Sequence, residues 1–408
     1  MDSLTQIVLG AAVGEAALGR RVGNRALLWG GIAGTLPDLD VLANAVTDPV
    51  SALAYHRAFT HSITFAVLAA PIIGLAVHRL YGGQTGRPPL GNRWVYPLAV
   101  LAFFLLLAGG SALMPIEVYR IPQIAGLITL VFAAICGLLA LRHAYRRRPS
   151  TNENASFTQW TGLFFLAIVT HPLLDCFTTY GTQLFQPLAT SRLSWNTISV
   201  ADPLYTLPFL ILLVAAGRRR RGTARRRWLN RAGLVISSAY LALTVVNHFN
   251  VRAVMRGTLE QRAIAAERYT VGPTILNNIL WSGTARAGTD YYVGQYSLLD
   301  RERAFGPFVR VPANHDWVAP YREDRDLRIL EWFTQGYYGV VARDSGMLQI
   351  SDLRFGLIGD DPADPASYIF SWQVDTSQHP VRVVREFAGP QRDGAELVGD
   401  LWERLRGR

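Results

Sequence analysis

The chain has 408 residues, half of them hydrophobic, with 40 basic and 30 acidic side chains and a formal net charge of +10. Residues 1–250 hold 21 Arg against nine acids, and residues 251–408 hold 19 Arg against 21 acids. The positive excess lies in short loops between apolar stretches, which argues against nucleic acid as its partner and for membrane topology.

Along the first part, eight apolar segments are expected at roughly 4–18, 25–45, 60–80, 94–113, 121–141, 159–178, 202–217 and 228–250. Several fall short of the ~20 residues that a perpendicular crossing needs, and the second is expected to break at Pro37. Met1-Asp2-Ser3-Leu4-Thr5 has no basic stretch, so a cleaved signal peptide is not expected. Cys136 and Cys176 both lie in apolar stretches, which implies no disulfide framework. The connecting loops alternate in Arg content. One set, including 20–25, 142–148 and 218–231, holds 18 Arg, and the other holds Arg57, Arg120 and Arg192 alone. This bias puts the first set in the cytoplasm and both ends of the chain outside.

Residues 251–408 read differently. Thr270 to Pro273, Tyr291 to Tyr296 and Tyr337 to Val341 are rich in aromatic and β-branched residues and punctuated by Gly, Pro and Asp, which suits short antiparallel strands. Leu327 to Phe333 suits a short helix or a further strand. The expected fold is an α-helical multi-span membrane domain over 1–250, of about eight segments, followed by a small soluble β-rich α+β domain over 251–408 on the extracytoplasmic side.

The informative residues are ionisable groups within or beside the apolar segments. Such groups are costly at membrane depth and read by default as functional and paired. His171-Pro172-Leu173-Leu174-Asp175 puts a His and an Asp four apart, on one helix face. They can share a metal ion, or simply tie helices together. His56-Arg57-Ala58-Phe59-Thr60-His61-Ser62 suits one ligand from a loop and one from the first turn of a helix capped by Thr60 or Ser62. Arg57 can hold an anionic substrate such as a phosphate, or pair with a nearby Asp. In Pro37-Asp38-Leu39-Asp40 the two carboxylates differ by about 200° in direction if the segment is helical. Asp38 is then the direct metal ligand and Asp40 an outer carboxylate or general base, unless Asp38 only caps a helix. Asp202-Pro203 reads as an N-cap with Pro at the first helical position, or as a further ligand. Asp2 likewise caps the first helix or joins the site. His78, His143 and His248 lie on the inner side or late in the last span. Glu15 is expected to pair with a loop Arg. The expected topology puts Asp38, Asp40, His56, His61, His171, Asp175 and Asp202 all on the outer side, although they played no part in choosing it.

These motifs, Leu36 to Asp40, His56 to Ser62, Thr170 to Asp175 and the stretch from Thr179-Tyr180-Gly181 to Pro187, resemble the YdjM-like family of predicted membrane-bound metal-dependent hydrolases. The resemblance covers roughly 1–217. It implies a multi-span inner-membrane protein with a metal site at Asp38, Asp40, His56, His61, His171 and Asp175. Many relatives carry a His near the N-terminus where this chain has Gln6. The expected activity is hydrolysis of a lipid or lipid-linked (phospho)ester at the outer face of the membrane, with one or two divalent ions, zinc by its affinity for His and Asp. In that scheme Asp40 and Arg57 are catalytic. The alternatives are a metal-binding membrane protein or transporter with no hydrolytic step, and a membrane-anchored interaction module. Transporter sites usually lie at the midplane between repeats, and no repeat is visible.

Overall fold

Asp2 starts the first helix in the computed structural model, which describes residues 1–45, 47–81, 98, 101–103, 105–106, 155–343, 346–358, 361–388 and 394–407. α1 (Ser3–Val22) is capped by the Asp2 carboxylate, which accepts from the Thr5 backbone N–H at 3.0 Å. Gly23 ends it with φ of 60°, a conformation suited to glycine, and α2 (Asn24–Thr35) follows directly. The two helices meet backbone to backbone. A Cβ at Gly14 would lie 2.3 Å from the Ala26 carbonyl oxygen, and one at Gly34 2.4 Å from that of Gln6.

α2 stops short of Pro37, and Pro37–Ala45 continues as a 3-10 helix. The expected break in the second segment is therefore present. α3 (Pro49–Tyr55) is capped by Asp48, and a 3-10 turn, Phe59–His61, leads into α4 (Ile63–Leu80). Ser62 caps α4 by accepting from the Phe65 N–H at 3.0 Å. His61 thus stands just before the helix rather than in its first turn. α5 (Phe157–Asp175) opens with a capping box between Ser156 and Gln159. α6 (Pro203–Gly217) and α7 (Ala224–Gln261) complete the helical region.

Trp160, Leu163, Phe164, Ala167 and Ile168 of α5 are fully buried with Phe65, Ala66, Ala69 and Ala70 of α4. Glu15 of α1 receives both Nε and Nη2 of Arg226, each at 2.6 Å, so it pairs with a loop-flanking Arg as expected.

The described residues bear out a helical first part but do not confirm the count of eight segments. Among the described residues α4, α5 and α7 are long and apolar enough to cross a membrane, and α6 is apolar but only 15 residues long. The segment expected at 25–45 is divided between a 12-residue helix and a 3-10 helix. The segment expected at 121–141 lies outside the described residues, and so does most of 94–113.

By its contacts the chain forms two units. The first comprises Met1–Cys176, Tyr180–Ser194 and Pro203–Tyr240, and the second Leu241–Arg408 with Phe177–Thr179 and Trp195–Asp202. The second unit holds two four-stranded antiparallel sheets, each with its strands in sequence order. The first contains β1 (Arg268–Pro273), β2 (Leu280–Ala287), β3 (Asp290–Ser297) and β4 (Val309–Pro312). The second contains β5 (Tyr338–Ala342), β6 (Met347–Asp352), β7 (Phe370–Asp375) and β8 (Arg382–Ala388). Between them in sequence lies α8 (Arg325–Phe333), and α9 (Gly394–Leu405) follows β8. Leu327 to Phe333 is therefore helical. The end of α7 presents Val251, Val254, Met255 and Leu259, an apolar stripe at helical spacing, to Val271, Trp281, Ala285 and Phe305.

Candidate metal centre

Three pieces of the first unit carry the ionisable groups: the 3-10 helix after Pro37, the turn before α4 and the end of α5. α5 stays helical through Pro172, so His171 and Asp175 share a face, with His171 Nε2 3.2 Å from Asp175 Oδ2. The turn before α4 brings His61 Nε2 to 3.1 Å from His171 Nε2 and 3.4 Å from Asp175 Oδ2. From the 3-10 helix, Asp38 Oδ1 lies 3.4 Å from both Nε2 atoms. His61, His171 and Asp175 are buried, and Asp38, its side chain 22% exposed, is the open side of the group.

The tautomers follow from what lies behind each ring. His171 Nδ1 donates to the Gly34 carbonyl at 2.5 Å, which leaves Nε2 as a lone pair in the neutral ring. His61 Nδ1 faces Asp40 Oδ2 and Thr60 Oγ1, each at 3.2 Å, so its Nε2 is likewise turned inward as an acceptor. The two imidazole Nε2 atoms thus lie 3.1 Å apart, each within 3.2–3.4 Å of one oxygen of Asp38 and one of Asp175. Such an arrangement repels itself unless a proton or cation offsets it; for Asp175 the Met1 ammonium at Oδ1 and Arg57 at 3.5 Å from Oδ2 do so in part. Four ligands held tetrahedrally at about 2.0–2.1 Å from one ion would sit roughly 3.3 Å apart. The His–His and His–Asp spacings of 3.1–3.4 Å are near that figure, and His with Asp suits a divalent metal. Asp38, His61 and His171 offer ligand atoms all within 4.8 Å of one another; Asp175 Oδ2 lies beside the two Nε2 atoms, while its Oδ1 meets the Met1 ammonium.

Asp40 stands behind this group. Its Oδ2 accepts the Arg57 backbone N–H at 2.7 Å besides facing His61, and its Oδ1 lies 3.1 Å from His56 Nδ1. His56 is therefore placed against Asp40 rather than among the four converging atoms. Its side chain is 27% exposed and its ring meets Tyr180 edge-on at 5.1 Å. Arg57 adopts φ of 57°, unusual without glycine, and is held there by the Asp40 bond and by its own carbonyl accepting from the Gln183 N–H. Its Nε lies 3.5 Å from Asp175 Oδ2, and its guanidinium stands 5.0 Å from the Tyr180 ring centre. The ion pair with an Asp is thus present. Arg192 covers the same ring at 4.6 Å and donates to the carbonyls of Leu53, His56, Tyr180 and Gly181, which fixes the loop.

Asp202 is buried and belongs to the other unit, and it is not in the group of Asp38, His61 and His171. Asp2 caps α1. Gln6 does reach the site. Fully buried, it donates from Nε2 to Asp175 Oδ1 at 3.0 Å and to the His171 carbonyl at 3.3 Å.

The family model described as YdjM inner membrane protein matches residues 1–114 and 127–251, a stretch that contains every group named above. The chain belongs to the YdjM family of inner membrane proteins. No curated protein and no solved structure matches it. In this YdjM protein the two β-sheets lie beyond the matched residues. The sequence reading missed Thr60 and Tyr180 as parts of the site and left Gln6 as a mere departure. Gln6 could have been found from its helical spacing with Gly10 and Gly14, which marks it as facing the other helix rather than lipid.

Proposed function

We propose that this YdjM protein is a metal-dependent hydrolase of lipid or lipid-linked phosphoesters, acting at the outer face of the cytoplasmic membrane. One divalent ion, zinc by its ligand set, is held by Asp38, His61, His171 and Asp175 in this reading. The carrying observation is that the Nε2 atoms of His61 and His171 lie 3.1 Å apart, each 3.2–3.4 Å from one oxygen of Asp38 and of Asp175, with both imidazoles turned inward. A bound divalent cation supplies Lewis acidity and an activated water. The chain's own residues then supply orientation and protons. Asp40 holds the His61 ring from behind and, through Nδ1, the half-exposed His56 ring. His56 is the group placed to exchange a proton with substrate through Nε2. Arg57 borders the ligands and carries the cation for a phosphoryl oxygen. Substrate approaches from the Asp38 and His56 side, where the group is open.

The outward position draws support from α1. Gln6, near one end, touches Asp175, while Arg21 and Glu15, toward the other, meet Arg221 and Arg226. Six and 21 are separated by roughly 22 Å along a helix, so the Arg-rich loop and the His/Asp group lie at opposite ends. A reporter active only outside the cytoplasm, fused after Arg408, is expected to be active. A signal from a cytoplasm-only reporter at that point would refute the sidedness.

Hydrolysis is tested with the purified chain in detergent, loaded with Zn²⁺ and given bis(p-nitrophenyl) phosphate and short-chain phospholipids. Metal-dependent product release, lost on chelation and in His171→Ala, is the expected result. Stoichiometric metal with no turnover of any phosphoester would reject the hydrolase and favour the non-hydrolytic or transporter reading.

A further inference from the structure

The second unit contains an open cleft of about 650 Å³, within the range of small-molecule sites. Its walls are mostly charged. Arg268, Arg286, Arg322 and Arg328 line it against only two acids, Asp316 and Glu331, with Trp332 as the main apolar surface.

One of these guanidiniums lacks an anionic partner among the described residues, and a second has only a loose, exposed one. Arg268 is pinned by neutral groups: Nη1 donates to the Gln335 carbonyl at 3.1 Å, Nη2 contacts the Gly336 carbonyl, and the cation lies 4.2 Å from the Tyr337 ring centre. No carboxylate pairs with it among the described residues. Arg286 has a buried Nε with no hydrogen-bond partner, and Glu267, 3.8 Å away, is largely exposed. Fixing four guanidiniums beside a cleft with fewer carboxylates to balance them is unfavourable for folding alone, and it pre-organises them for an anion. His315, also in the wall, donates from Nε2 to the Tyr338 carbonyl at 2.9 Å and stacks on the Tyr338 ring. Burial holds its imidazole below the ordinary range, and the charges of Arg286 and Arg322 act in the same direction. It therefore lines the cleft as a neutral hydrogen-bonding group and leaves the positive charge to the arginines.

We infer that this cleft binds a phosphoryl oxyanion, in a small phosphate ester or a phospholipid headgroup. Arg forks match the oxygens of a phosphoryl group, and several of them converging exceed what one carboxylate would use. Trp332 offers a face to the glycerol or sugar carried by such a group. The inference concerns the second unit alone and does not depend on the metal centre being hydrolytic.

The test is calorimetric titration of the full chain in neutral detergent, after EDTA treatment so that no metal binds phosphate. The probes are inorganic phosphate, dihexanoyl phosphatidylglycerol and, as control, dihexanoyl phosphatidylcholine. Saturable phosphate or phosphatidylglycerol binding is expected, weakened at least about tenfold by Arg286→Gln and by Arg268→Gln, and unchanged by Arg301→Gln, an exposed site outside the lining. Binding should also weaken as salt rises. Tighter phosphatidylglycerol than phosphate would identify a lipid headgroup, and equal affinities a free phosphate ester. Arg286→Lys preserves charge but not the fork, so partial binding there separates recognition from misfolding. Absence of binding by all probes, or equal binding by wild type, Arg268→Gln and Arg286→Gln, would overturn the inference.

Discussion

Replacing His171 by Ala is expected to strip the protein of metal. The change removes one of four converging ligand atoms and leaves both the Gly34 carbonyl and Asp175 Oδ2 facing a void. Loss of a mere outer-sphere partner costs about 10–100-fold in metal affinity. Loss of a direct ligand should exceed that, so dissociation constants should rise more than about 100-fold, or about 2.7 kcal/mol. His61→Ala should behave alike, because its Nε2 faces the other three atoms. His78→Ala is the control. That residue sits near the far end of α4, donates from Nδ1 to the Ala155 carbonyl at 3.0 Å, and lies roughly 22 Å along the helix from its start. Elemental analysis and chelator competition on the three variants measure the effect. A second readout guards against simple misfolding: added Zn²⁺ should raise the unfolding temperature of wild type and His78→Ala but not of His171→Ala. Equal metal in all the proteins would remove the metal centre altogether.

How much of this was legible in the sequence depended on whether the decisive contact was local. His171 and Asp175 were readable because four residues on a helix fix a shared face whatever surrounds them. The break at Pro37 was readable because proline acts on its own backbone. Glu15 was readable as a partner for a loop Arg from charge alone, though not that the partner would be Arg226. What lay beyond reach was tertiary. Nothing local to His171 says that the Gly34 carbonyl lies behind it, or that Gln6 reaches across to Asp175. The small-residue spacing of Gly10 and Gly14, with Gly30 and Gly34 opposite, was present in the sequence and explains how α1 and α2 approach closely enough to place both. His56 was read as a ligand because histidines flanking a turn look equivalent. The structure turns one toward His171 and the other toward Asp40. The segment expected at 25–45 is divided at Pro37, where α2 gives way to the 3-10 helix. In the second unit, aromatic and β-branched runs marked β1, β3 and β5, whereas β2, with Ser282, Gly283 and two small alanines, carries little strand signal of its own and is fixed by its neighbours' register.

Asp38 and Asp40 should separate metal binding from turnover. In a 3-10 helix, residues two apart point about 240° from each other, and here the two carboxylates reach opposite sides of one ring. Asp38 Oδ1 faces His61 Nε2 at 3.4 Å, and Asp40 Oδ2 faces His61 Nδ1 at 3.2 Å. Asp38→Asn replaces an anionic ligand atom with an amide, so it should lose metal nearly as far as His171→Ala and lose activity with it. Asp40→Asn keeps all four ligand atoms but presents an amide to Nδ1 of both His61 and His56, which can turn either ring to the wrong tautomer. Metal affinity should fall about 10–100-fold, as for other partners behind a ligating His. At saturating metal, turnover should still fall about 10²–10⁴-fold, the range for losing a general acid–base group. His56→Gln completes the set. It should leave metal bound with near-normal affinity and depress turnover about as far as Asp40→Asn. If His56→Gln instead emptied the site of metal, His56 would be a ligand after all and Asp40 a carboxylate orienting two metal-bound rings. Full activity in both Asp38→Asn and Asp40→Asn would reduce the pair to a structural element of the turn, leaving His61, His171 and Asp175 as the only candidate ligands.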